Sequence, residues 1–221
     1  LRRKLRRAAT MGVTAGVAPD PDWAELARIN AAWVAARGGE HGFSMGRFDP
    51  AYCATQILVV ARQGEEAVGF ATFHAAWIRG ERVWTLDLLR PAPAAPEGTA
   101  QTLVMAALDL ARGQGVRRMS LAAVPIGSVR GEGGLVARLG RVLAPTALQG
   151  LAQFKSGFAP HWQRLYIIGP SHLTVALVGW EIWRKVRHRR PAGMSRAATQ
   201  DADNEFASAR NPWQRGDDRT A

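Results

Sequence analysis

The 221-residue chain predicts an α/β fold with a mixed, mostly antiparallel sheet and a central helix. Three observations carry that expectation. β-like apolar runs occupy 56–63, 67–78 and 82–90, the first two parted by a turn at Gly64 and the third stopped by Pro91. One long apolar segment of helical periodicity, 100–115, ends in glycines. After it, 116–126 reads as a further strand.

In chain order, LRRKLRRAATMG is a basic helical opening that stops at Gly12, and Asp20 and Asp22, among Pro19 and Pro21, mark a helix start. The helix that follows, DWAELARINAAWVAAR, sets Trp23, Leu26, Ala27, Asn30, Trp33 and Val34 at helical spacing. GGEHGFSMGRFDP is a glycine-punctuated loop before the three strands. Beyond the central helix and its strand, 134–144 is a short amphipathic helix, RLYIIG (164–169) a last strand, and 172–190 a basic amphipathic helix. The order is compatible with the GNAT acyltransferase fold, in which a helix N-terminus after the central strand faces the acyl carrier. The expected organisation is a basic linking helix over 1–18, a catalytic domain over 19–170, the basic helix within 171–190 and a disordered tail over 191–221. The chain begins with Leu, which suggests a piece of something longer.

The formal charge is +11, and 191–221 hold four cations against five anions, so residues 1–190 carry +12. Such a body attracts phosphate-rich partners, RNA or anionic lipid headgroups; an arginine-rich composition with a merely solvated surface is the plainer alternative. The one cysteine, Cys53, excludes an internal disulfide and a CxxC zinc site and reads as a buried thiol. The five histidines show no metal-binding spacing, so no metal is expected. No stretch has the near-continuous apolar length of a membrane span.

Two places carry chemistry. In TLDLLRPAPAAPEG, Asp87 and Arg90 are three apart near the end of an apolar strand, on opposite faces unless a bulge intervenes. Asp87 lies among Leu86, Leu88 and Leu89, where a carboxylate needs a cationic partner; a structural Asp–Arg ion pair is equally compatible. In GLAQFKSGFAPHWQRLY, Lys155 is one of three lysines against 26 arginines and stands between Phe154 and Phe158. A compact ammonium suits a single developing oxyanion in a tight pocket better than a planar guanidinium fork. The alternative is a lysine that lays its stem over an aromatic surface and keeps its head in water.

LRRKLRRAATMG, EHGFSMGRFDP, TLDLLRPAPAAPEGT, AAVPIGSV and GLAQFKSGFAPHWQRLY, in that order, resemble the C-terminal catalytic domain of MprF-type phosphatidylglycerol lysyltransferases over residues 1 to about 168. The family patterns are roughly E-K-G-F-S-L-G-R-F-D, D-L-M-R, A-P-L and Y-K-x-K-F-x-P-x-W-x-x-R-Y. The resemblance implies the second of two tandem GNAT-like units, with 1–18 joining it to the first. It further implies transfer of an aminoacyl group, lysyl by the family's name, from aminoacyl-tRNA to the headgroup hydroxyl of phosphatidylglycerol. The implied place is the cytoplasmic face of the bacterial membrane, where lipid charge is modified, with a transmembrane region upstream in many relatives. Aminoacyl-tRNA, anionic phospholipid and the membrane surface are the implied partners, and no cofactor is needed because the ester is already activated.

Carried over by position, Asp87 and Arg90 match D-L-M-R, and Lys155 matches the first lysine of K-x-K-F, with Phe158, Pro160, Trp162 and Tyr166 in register. Ser156-Gly157 loses the second lysine, and Leu165 stands at the family's arginine with Arg164 adjacent. On this basis Lys155 would stabilise the tetrahedral oxyanion. Asp87 would hold the α-ammonium or help deprotonate the hydroxyl, and Arg90 would bind a phosphate of lipid or tRNA. Phe43, Arg47, Phe158, Trp162, Arg164 and Tyr166 would line the substrate. Arg47 would contact phosphate, and Phe43 or Phe48 would pack an adenine, unless these phenylalanines simply anchor the loop. The proline-rich turn before Glu97-Gly98 lacks the R/Q-x-x-G-x-G/A loop that cradles coenzyme A, which favours another donor. The competing expectations are a GNAT transferase with another acceptor or an acyl-CoA donor, and a non-catalytic RNA- or membrane-binding module. The last helix either lies on an anionic membrane or docks on protein.

Overall fold

A computed structural model describes residues 1–41, 46–124, 146–165, 168–187 and 189–190. The elements are α1 (Arg2–Thr10), β1 (Val13–Val17), α2 (Trp23–Ala36), β2 (Glu40–His41), α3 (Pro50–Ala54), β3 (Ile57–Gln63), β4 (Glu66–Ile78), β5 (Glu81–Pro91), α4 (Thr99–Gly113), β6 (Arg118–Ser120), α5 (Thr146–Ser156), α6 (His172–Arg187) and β7 (Arg189–Arg190). The main sheet runs β1-β3-β4-β5-β6, antiparallel throughout except for the β5–β6 pair, which is parallel. This is the expected mixed, mostly antiparallel α/β arrangement, with α4 as the central helix.

Local chemistry fixes the elements. Asp22 caps α2 by accepting from the backbone of Ala24 and Glu25, and Asp49 caps α3 by accepting from Tyr52, with Pro50 in the first turn. Arg79 and Gly80 both take positive φ at the β4–β5 hairpin, as a two-residue primed turn requires. One face of the sheet packs Val59, Ala71, Phe73 and Leu86 against Ala8 of α1 and Leu103 and Ala107 of α4. The other packs Leu58, Val60, Phe70 and Leu88 against Leu26 and Ile29 of α2 and Cys53 of α3.

Several expectations change. Residues 1–18 do more than link: β1 pairs with β3, and Ala8 is fully buried in the core. The tyrosine- and cysteine-bearing segment before β3, given no element from the sequence, is the short helix α3. Of the strand expected over 116–126, the described residues 116–124 are strand only at 118–120, and Ala122 just beyond adopts a left-handed backbone, φ 62°. Of the expected strand 164–169, the described residues 164, 165, 168 and 169 are not extended into a sheet. The helix expected over 134–144 and the tail 191–221 lie outside the described residues.

Candidate active site

Pairing between β4 and β5 shifts register where Ala71 faces Leu89 but Phe73 faces Leu86, so Thr72 opposes both Asp87 and Leu88. This bulge answers the question that the three-residue spacing poses. It brings Asp87 to the α2/α3 side, the side to which Arg90 also turns. The bulge is tied down by the Leu88 N–H, which donates to Thr72 Oγ1 at 3.2 Å.

Asp87 is held by neutral and imidazole partners. Gln56 Nε2 donates to Oδ2 at 2.9 Å, and His74 Nε2 lies 3.5 Å from the same oxygen. Tyr52, on α3, sets its hydroxyl 3.1 Å from His74 Nε2. Burial works to raise the Asp87 pKa. The hydrogen bonds from His74 and Gln56, with the charges of His74 and Arg90, outweigh it and hold the carboxyl below its usual range. Gln56 Oε1, beside this carboxylate, is buried and has no donor among the described residues.

Arg90 is only 8 % exposed. Its guanidinium stacks 3.6 Å from the ring of Trp33, and Nε donates to Asn30 Oδ1 at 3.2 Å. Both partners sit on α2, so Arg90 joins strand to helix while adding positive charge near Asp87. No direct Asp87–Arg90 ion pair is needed to explain either position.

Lys155 lies in the last turn of α5, three residues from buried Ala152, and is itself 4 % exposed. Its Nζ donates to the carbonyls of Ala122 at 3.1 Å and Ala123 at 3.0 Å. A lysine covering a surface would leave its head in water; this one does not. Burial lowers its pKa to about 8. The two carbonyls belong to the kink after β6: Ser120 Oγ accepts from the Ala122 N–H, and Ala122 is left-handed. The β5–β6 ladder runs from Val83–Arg118 to Thr85–Ser120, while β5 continues to Pro91. The strands therefore part just before Asp87, and Lys155 bonds to the diverging one.

Of the other expected residues, Arg47 is half-buried in the loop whose Gly46 abuts Asp87, and its charge reaches Tyr52. Phe48 meets Phe70 at a tilt, ring centroids 5.4 Å apart, and packs half-buried against the core. Phe158 meets Phe154 edge-on at 5.3 Å, and Trp162 and Arg164 are exposed beyond it. Phe43 and Tyr166 lie outside the described residues. Sequence reasoning missed Tyr52, Gln56 and His74. The tyrosine and glutamine flank the start of β3 and the histidine sits inside an apolar strand, where a polar residue is itself the signal.

The N-terminus of α4 is occupied. Gly98 caps it at φ 105°, and a Cβ there would strike the Lys4 carbonyl of α1 and approach Ala8 Cβ. Glu97, beside it, pairs with Arg7 at 3.0 Å and Lys4 at 3.7 Å. A helix start suited to an anion is thus covered by a helix backbone and flanked by a carboxylate. Among the described residues no group of His, Cys, Asp or Glu is gathered for a metal, and no helix is long and apolar enough to cross a membrane.

Known proteins place this architecture. A curated phosphatidylglycerol lysyltransferase of Bacillus subtilis (strain 168) is 26 % identical over 151 residues, 65 % of this chain and 17 % of the relative. The C-terminal domain (DUF2156) of a protein described as a lysylphosphatidylglycerol synthetase from Agrobacterium fabrum superposes with a TM-score of 0.66 at 26 % identity, covering 84 % of this chain and 60 % of that one. The structure of L-PGS from Bacillus licheniformis gives 0.67 at 23 % identity, over 85 % and 60 % of the two chains. The chain thus spans under a fifth of its curated relative and three fifths of the solved ones. The profile of the family described as phosphatidylglycerol lysyltransferase, C-terminal, matches residues 1–169, and the chain belongs to that family.

Proposed function

We propose that this chain transfers an aminoacyl group, lysyl in the first instance, from aminoacyl-tRNA to the headgroup hydroxyl of phosphatidylglycerol. The observation that carries the proposal is the buried ammonium of Lys155, bonded to the strand that diverges from β5 just before Asp87. Two carbonyls use two of its three donors, and the third is offered to the oxyanion formed when the hydroxyl attacks the ester. Asp87 takes the α-ammonium of the aminoacyl group, helped by the unspent acceptor Gln56 Oε1. Arg90, stacked on Trp33, adds to the positive charge that, with His74 and Gln56, holds the Asp87 carboxyl below its usual range, and that charge would attract a phosphate. Arg47, Phe158, Trp162 and Arg164 flank the substrates in this reading; Phe43 and Tyr166, expected with them, lie outside the described residues.

The covered start of α4 favours a donor other than coenzyme A, because the pyrophosphate of that carrier needs the backbone amides that Lys4 and Glu97 crowd. Helix α6 exposes Leu173, Leu177 and Trp180 along one stripe before its basic end, as a helix lying on an anionic bilayer does. The acceptor is a lipid, so that surface is the cytoplasmic leaflet.

The test is to mix the full-length polypeptide with labelled lysyl-tRNA and phosphatidylglycerol vesicles. Label in the lipid supports the proposal. A product that requires acetyl-coenzyme A, or binding with no turnover, overturns it.

A further inference from the structure

Transfer to a hydroxyl needs a group that removes its proton as the new ester bond forms and returns it to the departing oxygen. Asp87 is poorly placed for this. Its side chain is 12 % exposed, and Oδ2 is already engaged by Gln56 and faced by His74. His74 is different: 44 % of its side chain is exposed, and its Nε2 points at the carboxylate. Beside an ionised carboxylate, Nε2 carries the ring proton, which leaves the lone pair on Nδ1. Tyr52 Oη, 3.1 Å from the same Nε2, shares that one proton with Oδ2 as the second acceptor of a forked bond, and its edge-on ring lies 5.8 Å from the imidazole. Gln56 Nε2 gives one N–H to Oδ2 at 2.9 Å and stands nearly equidistant from the two ring nitrogens, 3.2 Å from Nε2 and 3.5 Å from Nδ1, so it does not itself select a tautomer. Among the described residues, the charged or titratable groups at the imidazole are Asp87 on β5 and Tyr52 on α3, with Arg90 on β5, Cys53 on α3 and Arg47 on the loop before α3 coupled to these two.

We infer that His74 is the proton carrier of the transfer, held by Asp87 through Nε2 and working through Nδ1. This rests on the aminoacyl-transfer proposal above. The hydroxyl oxygen bonds to the ester carbonyl carbon while its proton passes to Nδ1. The tetrahedral oxyanion then collapses, the ester bond to the terminal ribose breaks, and the ribose oxygen takes the proton back. One ester replaces another with no net change in protons.

The experiment compares the full-length protein with His74→Gln and His74→Ala, folding being checked by circular dichroism, in the vesicle assay with labelled lysyl-tRNA. His74→Gln keeps a donor for Asp87 and no base, and transfer should fall by about 10²–10⁴-fold. Its pH–rate profile should lose the acid-side fall, and imidazole in the buffer should partly restore His74→Ala. Transfer within a few-fold of the unmodified protein, or a loss that imidazole does not relieve and that leaves the acid-side fall in place, overturns the inference. Nitrogen NMR of the unmodified protein, labelled in histidine, adds a readout independent of turnover: the Nε2–H tautomer is expected, and Nδ1–H overturns it. If the unmodified protein moves no label into lipid, the parent proposal fails and takes this one with it. If it does and His74→Gln does too, only the role of His74 falls.

Discussion

Gly46 lies so close to Asp87 that a Cβ on it would overlap the carboxylate. The segment from Gly46 to Asp49 is therefore pressed onto the acidic group at its first residue, where only a residue without a side chain fits. Gly46→Ala must displace either the loop or Asp87. We expect a loss of about 1–3 kcal/mol in stability from the overlap, read by denaturant unfolding. Transfer should fall by more than that loss of folded protein explains, because Gln56 and His74 lose their shared oxygen.

Lys155 predicts an alkaline limit. An oxyanion donor must be protonated, and burial sets its pKa near 8, so the transfer rate should fall as pH rises through that value. Lys155→Ala should remove about 10²–10³-fold of the rate. Lys155→Arg should not restore it, since a planar fork cannot occupy the place of a point charge held between two carbonyls. The stability consequence has the opposite sign to the activity. The folded pKa lies below the unfolded one, so the native state sheds this proton first. Between pH 8 and the ordinary lysine range the unfolded chain holds more protons, and the contribution of Lys155 to stability improves as pH rises. A thermal-melt series of wild type against Lys155→Met isolates that slope.

The covered α4 start predicts indifference to coenzyme A. Calorimetry should detect no acetyl-coenzyme A binding, and the compound should not slow transfer from lysyl-tRNA. Gly98→Ala meets both a left-handed backbone and the Lys4 carbonyl. It should therefore cost more than the ~1–2 kcal/mol of a left-handed residue alone, seen as a lowered unfolding midpoint.

Cys53 should be silent. It is fully buried, and burial pushes its thiol up to about 11. A disulfide reagent at neutral pH should leave the folded protein unmodified and react once denaturant is added; rapid labelling of the native chain would contradict the packing described.

Trp180 is 61 % exposed on α6. Vesicles containing phosphatidylglycerol should shift its emission to shorter wavelength, neutral phosphatidylcholine vesicles should do so less, and Leu177→Ala with Trp180→Ala should weaken vesicle binding by several-fold.

Much of this fold was legible because apolar periodicity and end signals agreed. Asp22, Pro91 and Gly64 bound their elements as expected, and α2, β3, β4, β5 and α4 follow. The misses share a cause. β1 is five residues of Val, Thr, Ala and Gly whose strand state depends on a partner 50 residues distant, as Val13 pairs with Gln63. The loss of β6 after Ser120 turns on one backbone torsion at Ala122, an alanine that carries no local signal for it. Lysine against a background of arginine singled out Lys155, and its burial agrees. Asp87 was expected to need a cation; its direct partners proved to be Gln56 and His74, which only the folded register brings across from other elements.

Ala122 has a consequence for how this protein can vary. Its left-handed turn both peels the chain away from β5 and aims two carbonyls at Lys155. The width of the crevice and the anchoring of its cation are thus set by a single torsion angle, at about 1–2 kcal/mol for a non-glycine residue. Lineages that reshape this crevice for a different cargo are bound to carry the ammonium along with it, or to rebuild both at once.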